Sequence, residues 1–109
     1  MTKLQSTEVL MQNAVAATAN GTVLNVDGFG PMAFQVTGTF VGTVTFEASL
    51  DGSNYVSIVV YDLPTNTAAT TATAPNIFYS NVHALHHVRA RVSAYTSGNI
   101  TVLARAVAA

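Results

Sequence analysis

A strict alternation of apolar and polar residues runs along one segment of the chain and ends at an Asp-Gly pair. The apolar positions are Val44, Phe46, Ala48 and Leu50, and the polar positions between them are Thr43, Thr45, Glu47 and Ser49. Side chains alternate across a strand with a period of two, so this pattern predicts a strand with one buried face and one solvent-exposed face. Asp51-Gly52 is a hairpin-turn signal, and a second run begins at Tyr55. We therefore expect a β-hairpin.

Other runs in the chain share this period of two. The positions predicted to face the core in the neighbouring strand and in the last two strands are Phe34, Val36, Phe40, Val88, Ala90, Val92, Ala94, Ile100, Val102, Ala104 and Ala106. Gly38 is expected at a bulge or close backbone contact, and Val41-Gly42 at a tight connection. Short strands at this spacing predict an all-β fold, an antiparallel β-sandwich of jelly-roll or immunoglobulin-like type with about 7–8 strands.

The 109 residues are expected to form one domain. Residues 1–20 are predicted to be an N-terminal arm or an edge strand, and residues 21–109 a single β-sandwich. Within it, residues 62–76 form a Thr- and Ala-rich tract that contains two prolines. Long loops of this kind are usually functional or disordered, so we expect either a flexible loop or an arm that orders on a neighbouring subunit.

Charge is scarce in this sequence: 8% of the residues are charged, and the net charge is −1. Four basic residues cannot create the positive field that nucleic-acid binding needs, so we expect no nucleic-acid partner. Two interpretations of the low charge remain open. The surface is either neutral and rich in hydroxyl groups, or it packs against other subunits, because interface cores are depleted of charge.

The absence of cysteine rules out a disulfide framework and a thiolate nucleophile or ligand. No run approaches the ~18 apolar residues of a membrane span, so we expect no membrane partner. Polar residues interrupt the N-terminal segment, which makes it a poor signal peptide. Synthesis in a host cytoplasm is the expectation that follows.

Three histidines, His83, His86 and His87, form a cluster of ligand-type side chains. No carboxylate lies close to them in sequence, and adjacent residues of a strand point to opposite faces. We expect surface or interface histidines and no metal or other cofactor. Neither a nucleophile motif nor a pair of carboxylates suited to glycoside hydrolysis is evident, so we expect no catalytic residues and no enzyme.

Two groups of side chains are candidates for partner contacts. His87, Arg89 and Arg91 form a basic stripe, which either pairs with an acid such as Glu47 or contacts an acidic partner surface. Exposed tyrosines suit either interface contacts or a platform on which a sugar ring stacks. The candidate contact residues, which include two threonines of the Thr/Ala tract, are Tyr55, Tyr61, Thr70, Thr71, His87, Arg89 and Arg91.

The segments Phe34–Tyr55 and Val88–Val102 resemble small β-sandwich virion structural proteins of tailed bacteriophages, some of which are head decoration (cement) proteins. In that group the aromatic residue after the Asp-Gly turn is often Trp, whereas here it is Tyr55. The resemblance implies a virion location and a decoration protein that contacts the major capsid protein or other virion subunits. It also implies a homo-oligomer, for which we favour a trimer. The alternatives are a glycan-binding β-sandwich module and a tail or baseplate component.

Overall fold

Two antiparallel sheets account for the fold of residues 5–108, the part of the chain that the computed structural model describes. The first sheet contains, in spatial order, β1 (Ser6–Val15), β11 (Ile100–Ala108), β3 (Phe29–Thr37), β9 (Asn76–Asn81), β6 (Val60–Asp62) and β7 (Ala68–Ala69). The second contains β2 (Leu24–Asn25), β10 (His87–Gly98), β4 (Phe40–Ser49) and β5 (Val56–Ser57), and β8 (Thr71–Ala72) also pairs with β4. The predicted all-β antiparallel sandwich is confirmed. The described residues form eleven strands, more than the predicted 7–8, because two-residue strands are too short to show a period.

A long bent ribbon joins the two sheets. β3 and β4 follow each other in the chain, as do β10 and β11. β3 pairs with β11 on one side of a corner, and β4 pairs with β10 on the other side. The register continues through the corner, from Thr101 opposite Thr37 to Gly98 opposite Phe40. The corner lies at Gly38, so the predicted connection at Val41-Gly42 is wrong: those two residues are inside β4.

Three phenylalanines fill the centre of the core. The ring of Phe46 lies 4.8 Å from that of Phe34 and 5.2 Å from that of Phe78, measured between centroids, and all three are buried. The side chains that point inward from the two long strand pairs complete the core, so most of the predicted inward positions are confirmed.

Two predicted core positions are wrong. Leu50 follows the last residue of β4 and is 66% exposed, because the chain turns away from the sheet after Ser49. Ala94 is exposed because a register shift between Val92 and Ala94 reverses the alternation. Tyr95, which an unbroken alternation would place on the outer face, therefore packs partly against the core.

The Thr/Ala tract is held against its own domain. β7 pairs with β6 and β8 with β4, the amide of Phe46 donates to the Thr70 carbonyl at 3.0 Å, and Ala72 is buried. The expected long loop thus contains two short strands, each of two residues, that pair with the protein's own sheets. Its small residues contribute mainly backbone hydrogen bonds, which a search for bulky apolar residues does not detect.

The N-terminal segment forms part of the sandwich. Residues 6–15 form β1, an edge strand paired with β11, and Met11 and Gln12 are buried. The Gln12 side-chain amide donates to the carbonyls of Ala19 and Ala90 at 3.0 and 2.8 Å, which ties β1 to the opposite sheet. The first four residues of the predicted arm, like residue 109, lie outside the described residues.

Candidate functional site

The face of β4 that the alternation assigns to solvent is largely covered by side chains of β10. Glu47 is only 7% exposed, and its Oε1 accepts hydrogen bonds from Arg89 Nε at 2.9 Å and Arg91 Nε at 3.1 Å. Arg91 Nη2 donates to Oε2 at 3.1 Å. Arg89 lies opposite Glu47 in the register, and Arg91 is two residues further along, so one carboxylate reaches both. We call these three residues the arginine–glutamate cluster.

Two opposing effects set the charge state of Glu47. Burial raises its pKa, but hydrogen bonds and charge from Arg91 and Arg89 lower it, and the net result is a pKa below the ordinary value. Glu47 is therefore ionised at neutral pH, and the cluster carries one net positive charge. The basic stripe was expected either to pair with an acid such as Glu47 or to contact an acidic partner. Both of its arginines pair with Glu47.

Tyr55 extends this cluster. Its ring lies 3.8 Å from the guanidinium carbon of Arg89, in the geometry of a cation–π contact. On the other side, Thr45 Oγ1 and Ser93 Oγ are hydrogen-bonded at 2.7 Å. The structure thus unites three of the predicted contact residues, Tyr55, Arg89 and Arg91, on the outer face of the second sheet.

The loop after β4 is organised by one carboxylate. Asp51 Oδ1 accepts hydrogen bonds from the amides of Ser53 and Asn54, both at 2.8 Å, and from Ser49 Oγ at 2.9 Å, while Oδ2 accepts from Asn54 Nδ2 at 2.6 Å. The Asn54 backbone and side-chain donors, then Ser53 and Ser49, hold the pKa of Asp51 well below its usual range. The predicted hairpin between β4 and β5 is confirmed, and its loop is tightly fixed.

Leu50 and Val56 stand on either side of this loop, with 66% and 69% of their surfaces exposed. Beside them lies a hollow of about 280 Å³ whose apolar walls include Ala48, Ile58 and Leu85. We call Leu50, Val56 and this hollow the apolar tip. Sequence reasoning missed it because the alternation assigned Leu50 to the core.

The remaining predicted contact residues lie elsewhere. Thr70 and Thr71 are exposed, and Thr71 pairs with Thr45 through the backbone ladder. Tyr61 lies on the other sheet, where its ring is 5.7 Å from that of Tyr79. Tyr55 and Tyr61, the two tyrosines among the candidate contact residues, are therefore on different faces of the sandwich.

Two of the three histidines, His86 and His87, contact the hairpin loop and each other, whereas His83 is exposed. The rings of His86 and His87 lie 4.2 Å apart, and His86 Nδ1 is 3.3 Å from the Leu50 carbonyl. A Cβ on Gly52 would lie 3.2 Å from His87 Nε2, so His87 packs against the loop. Among residues 5–108, no group of three His, Cys, Asp or Glu side chains is arranged to hold a metal ion.

The described residues, 5–108, contain no helix that could span a membrane.

Two solved structures have the same fold as this sandwich. The SPBc2 prophage-derived protein YomS superposes with a TM-score of 0.90 at 14% identity, covering 99% of this chain and 97% of YomS. The PBSX exported protein XepA superposes with a TM-score of 0.93 at 16% identity, covering 99% of this chain but only 39% of XepA. At these identities the likeness establishes the fold alone. No curated protein matches the sequence.

The sequence itself carries the family assignment. The profile of the XepA family matches residues 5–106, which is nearly the whole of the sandwich. The chain therefore belongs to the XepA family.

Proposed function

We propose that the protein is a structural subunit of a phage particle, and specifically a capsid decoration protein that stabilises the head through contacts between subunits. The observation that carries this proposal is the apolar tip, where Leu50 and Val56 are both about two-thirds exposed. Membership of the XepA family, the fold shared with a prophage-derived protein and a charged fraction of 8% support the same function.

The apolar tip has the properties of an interface anchor. Fully burying a side chain of this size contributes roughly 1.5–3 kcal/mol, and most of that remains to be gained at Leu50 and Val56. The hydrogen bonds to Asp51 fix the loop between them, so little conformational entropy is lost when a partner binds. An apolar projection beside an apolar hollow suits a contact in which a second subunit inserts a side chain into the hollow.

We expect the partners to be further copies of this chain, with a trimer favoured, and the major capsid protein. In such a contact the arginine–glutamate cluster lies on the same sheet as the tip and supplies a polar rim. Because Glu47 already neutralises one guanidinium, the rim would contribute specificity more than affinity.

The double variant Leu50→Ser, Val56→Ser tests the proposal. Its matched control is Val41→Ser, because Val41 is 58% exposed and lies near the opposite end of β4. We expect the double variant to lose particle occupancy, measured by electron microscopy of purified particles, and to lose oligomer mass by light scattering. The control should keep both. Unchanged occupancy in the double variant, or absence of the wild-type protein from particles, contradicts the proposal.

A second function is favoured by one specific observation: the solved relative XepA is described as an exported protein. By analogy, the protein would leave the cell and act outside the particle. Fractionation of an infected culture separates the two functions, because a decoration protein sediments with particles and an exported protein remains in the particle-free medium. Labelling of intact particles would separate a head location from a tail or baseplate location.

A further inference from the structure

The outer face of the six-stranded sheet carries an aromatic pair that the proposed function does not use. We propose that Tyr61 and Tyr79 form a platform that binds a neutral, pyranose-containing glycan. The pair lies on the sheet opposite the apolar tip, so glycan binding and subunit contacts through the tip can occur together.

The strand register places the two rings side by side. Tyr61 in β6 is the direct partner of Tyr79 in β9, and the preceding residues, Val60 and Phe78, are buried in the core. Both tyrosines therefore point outward, with 39% and 38% of their surfaces exposed. The centroids lie 5.7 Å apart, the ring planes are tilted by 32°, and both tyrosines line the same hollow.

A turn beside the pair holds Tyr79 in place. The Tyr79 hydroxyl donates to the side-chain oxygen of Asn66. The backbone amide of Asn66 donates to the backbone carbonyl of Asp62 at 2.6 Å. The Asp62 carboxylate in turn accepts hydrogen bonds from the Thr65 amide at 2.7 Å and from Asn76 Nδ2 at 2.8 Å. A platform fixed in this way loses little rotational freedom on binding, which favours even a small ligand.

The surroundings of the pair combine apolar surface with hydrogen-bonding groups. A hollow of about 310 Å³ is lined by Tyr61, Tyr79, Pro31, Ser80 and Asn81. Its volume is at the lower end of the ~300–1,000 Å³ of small-molecule sites. The C–H face of a sugar ring can pack on the aromatic surface, while the Asn81 amide and the tyrosine hydroxyls can bond the sugar hydroxyls.

The lack of charge around the hollow favours a neutral ligand. None of the five residues that line the hollow is charged. Arg105 lines a second hollow on the other side of Tyr79, and its Nε lies 3.8 Å from Glu8 Oε1, so a carboxylate already accompanies that cation. A neutral saccharide therefore fits the platform better than an anionic one.

A glycan array that contains malto-, cello-, galacto- and chito-oligosaccharides alongside sialylated and sulfated glycans tests the proposal. We expect the wild-type protein to bind at least one neutral series. Titration calorimetry with the best neutral ligand should show that Tyr61→Ala and Tyr79→Ala each weaken binding about tenfold or more, because stacked apolar area is lost.

Two variants control for folding and for nonspecific aromatic binding. Tyr79→Phe keeps the stacking ring but loses the hydroxyl bond to Asn66, so it should weaken binding less than Tyr79→Ala does. Tyr55→Ala removes a tyrosine from the other sheet and should leave affinity unchanged. The proposal is overturned if no neutral glycan binds, if only anionic glycans bind, or if the two alanine variants bind like the wild type. It is also overturned if the alanine variants dissociate an oligomer without changing glycan affinity, since this face would then be a subunit contact.

Discussion

Gly98 packs directly against the backbone of Thr39 where the bent ribbon passes from one sheet to the other. A Cβ on Gly98 would overlap the Thr39 carbonyl oxygen, and a Cβ on Gly38, between β3 and β4, would overlap the Asn99 carbonyl oxygen. Both glycines also have positive φ, 90° and 111°. The corner that joins the two sheets is thus closed by two reciprocal contacts that admit no side chain.

We expect Gly98→Ala to destabilise the protein by about 3 kcal/mol or more, because it adds a backbone overlap to the cost of a positive φ. Gly28→Ala is the matched control: its φ is 86°, but nothing lies within 4 Å of the Cβ position. The control should lose only about 1 kcal/mol. Urea melts of the two variants measure the difference, and equal losses would show that the corner contact contributes nothing.

Phe46→Ala should cost ~3–5 kcal/mol, because it opens a cavity between Phe34 and Phe78 in a fully buried site. Leu50→Ala should change the free energy of unfolding by about 0.5 kcal/mol or less, since Leu50 is mostly exposed. Denaturant unfolding of both variants provides the measurement. A loss below ~1 kcal/mol at Phe46 would be incompatible with the burial described above.

Glu47→Gln should destabilise the protein by ~1–3 kcal/mol at pH 7, between the values for exposed and buried ion pairs, because it leaves two guanidinium groups without their carboxylate. The same variant should change the pH dependence. The folded pKa of Glu47 lies below its ordinary value of 4.5, so the unfolded state binds the proton more readily. The stabilisation is then complete above pH 4.5 and is lost as the pH falls through the folded pKa.

Thermal melts between pH 7 and pH 2 measure this effect. The loss of stability below pH 4.5 should be steeper in the wild type than in Glu47→Gln. Asp51 and Asp62, whose pKa values are also lowered, contribute equally to both curves and cancel in the comparison. Parallel curves would mean that Glu47 titrates alike in the folded and unfolded states.

The sequence predicts the central strands well because their alternation is uninterrupted. It fails where the backbone departs from that period. The close backbone contact predicted at Gly38 is confirmed by the Asn99 carbonyl oxygen, but the sequence does not show that the ribbon passes to the other sheet there. The shift between Val92 and Ala94 reverses which side chains face inward without changing the composition of the strand. A bulge inserts one residue into the pairing, and only the partner strand reveals it.

For the candidate surfaces too, the sequence predicts what residue types alone decide and misses what depends on strand pairing. Pairing of Arg89 and Arg91 with Glu47 could be foreseen as an alternative from the residue types, but the burial of Glu47 depends on a register between strands about 40 positions apart in the chain. The Tyr61–Tyr79 pair also depends on strand order, which no local pattern encodes. The Thr/Ala tract can likewise be recognised as structured only from its pairing with β6 and β4.

The Asp51→Ala variant tests whether one carboxylate organises the apolar tip. It removes the acceptor for the Ser53 and Asn54 amides, so we expect both amides to exchange with solvent faster, measured by hydrogen exchange, while the core strands keep their protection. Asp27→Ala is the control, since Asp27 is also an exposed turn acid, and no hydrogen bond is found for its carboxylate among residues 5–108. If the tip anchors a subunit contact, Asp51→Ala should also weaken assembly, because a mobile loop must be ordered when the partner binds. Unchanged exchange at Ser53 and Asn54 would mean that packing against His87, and not the carboxylate, fixes the loop.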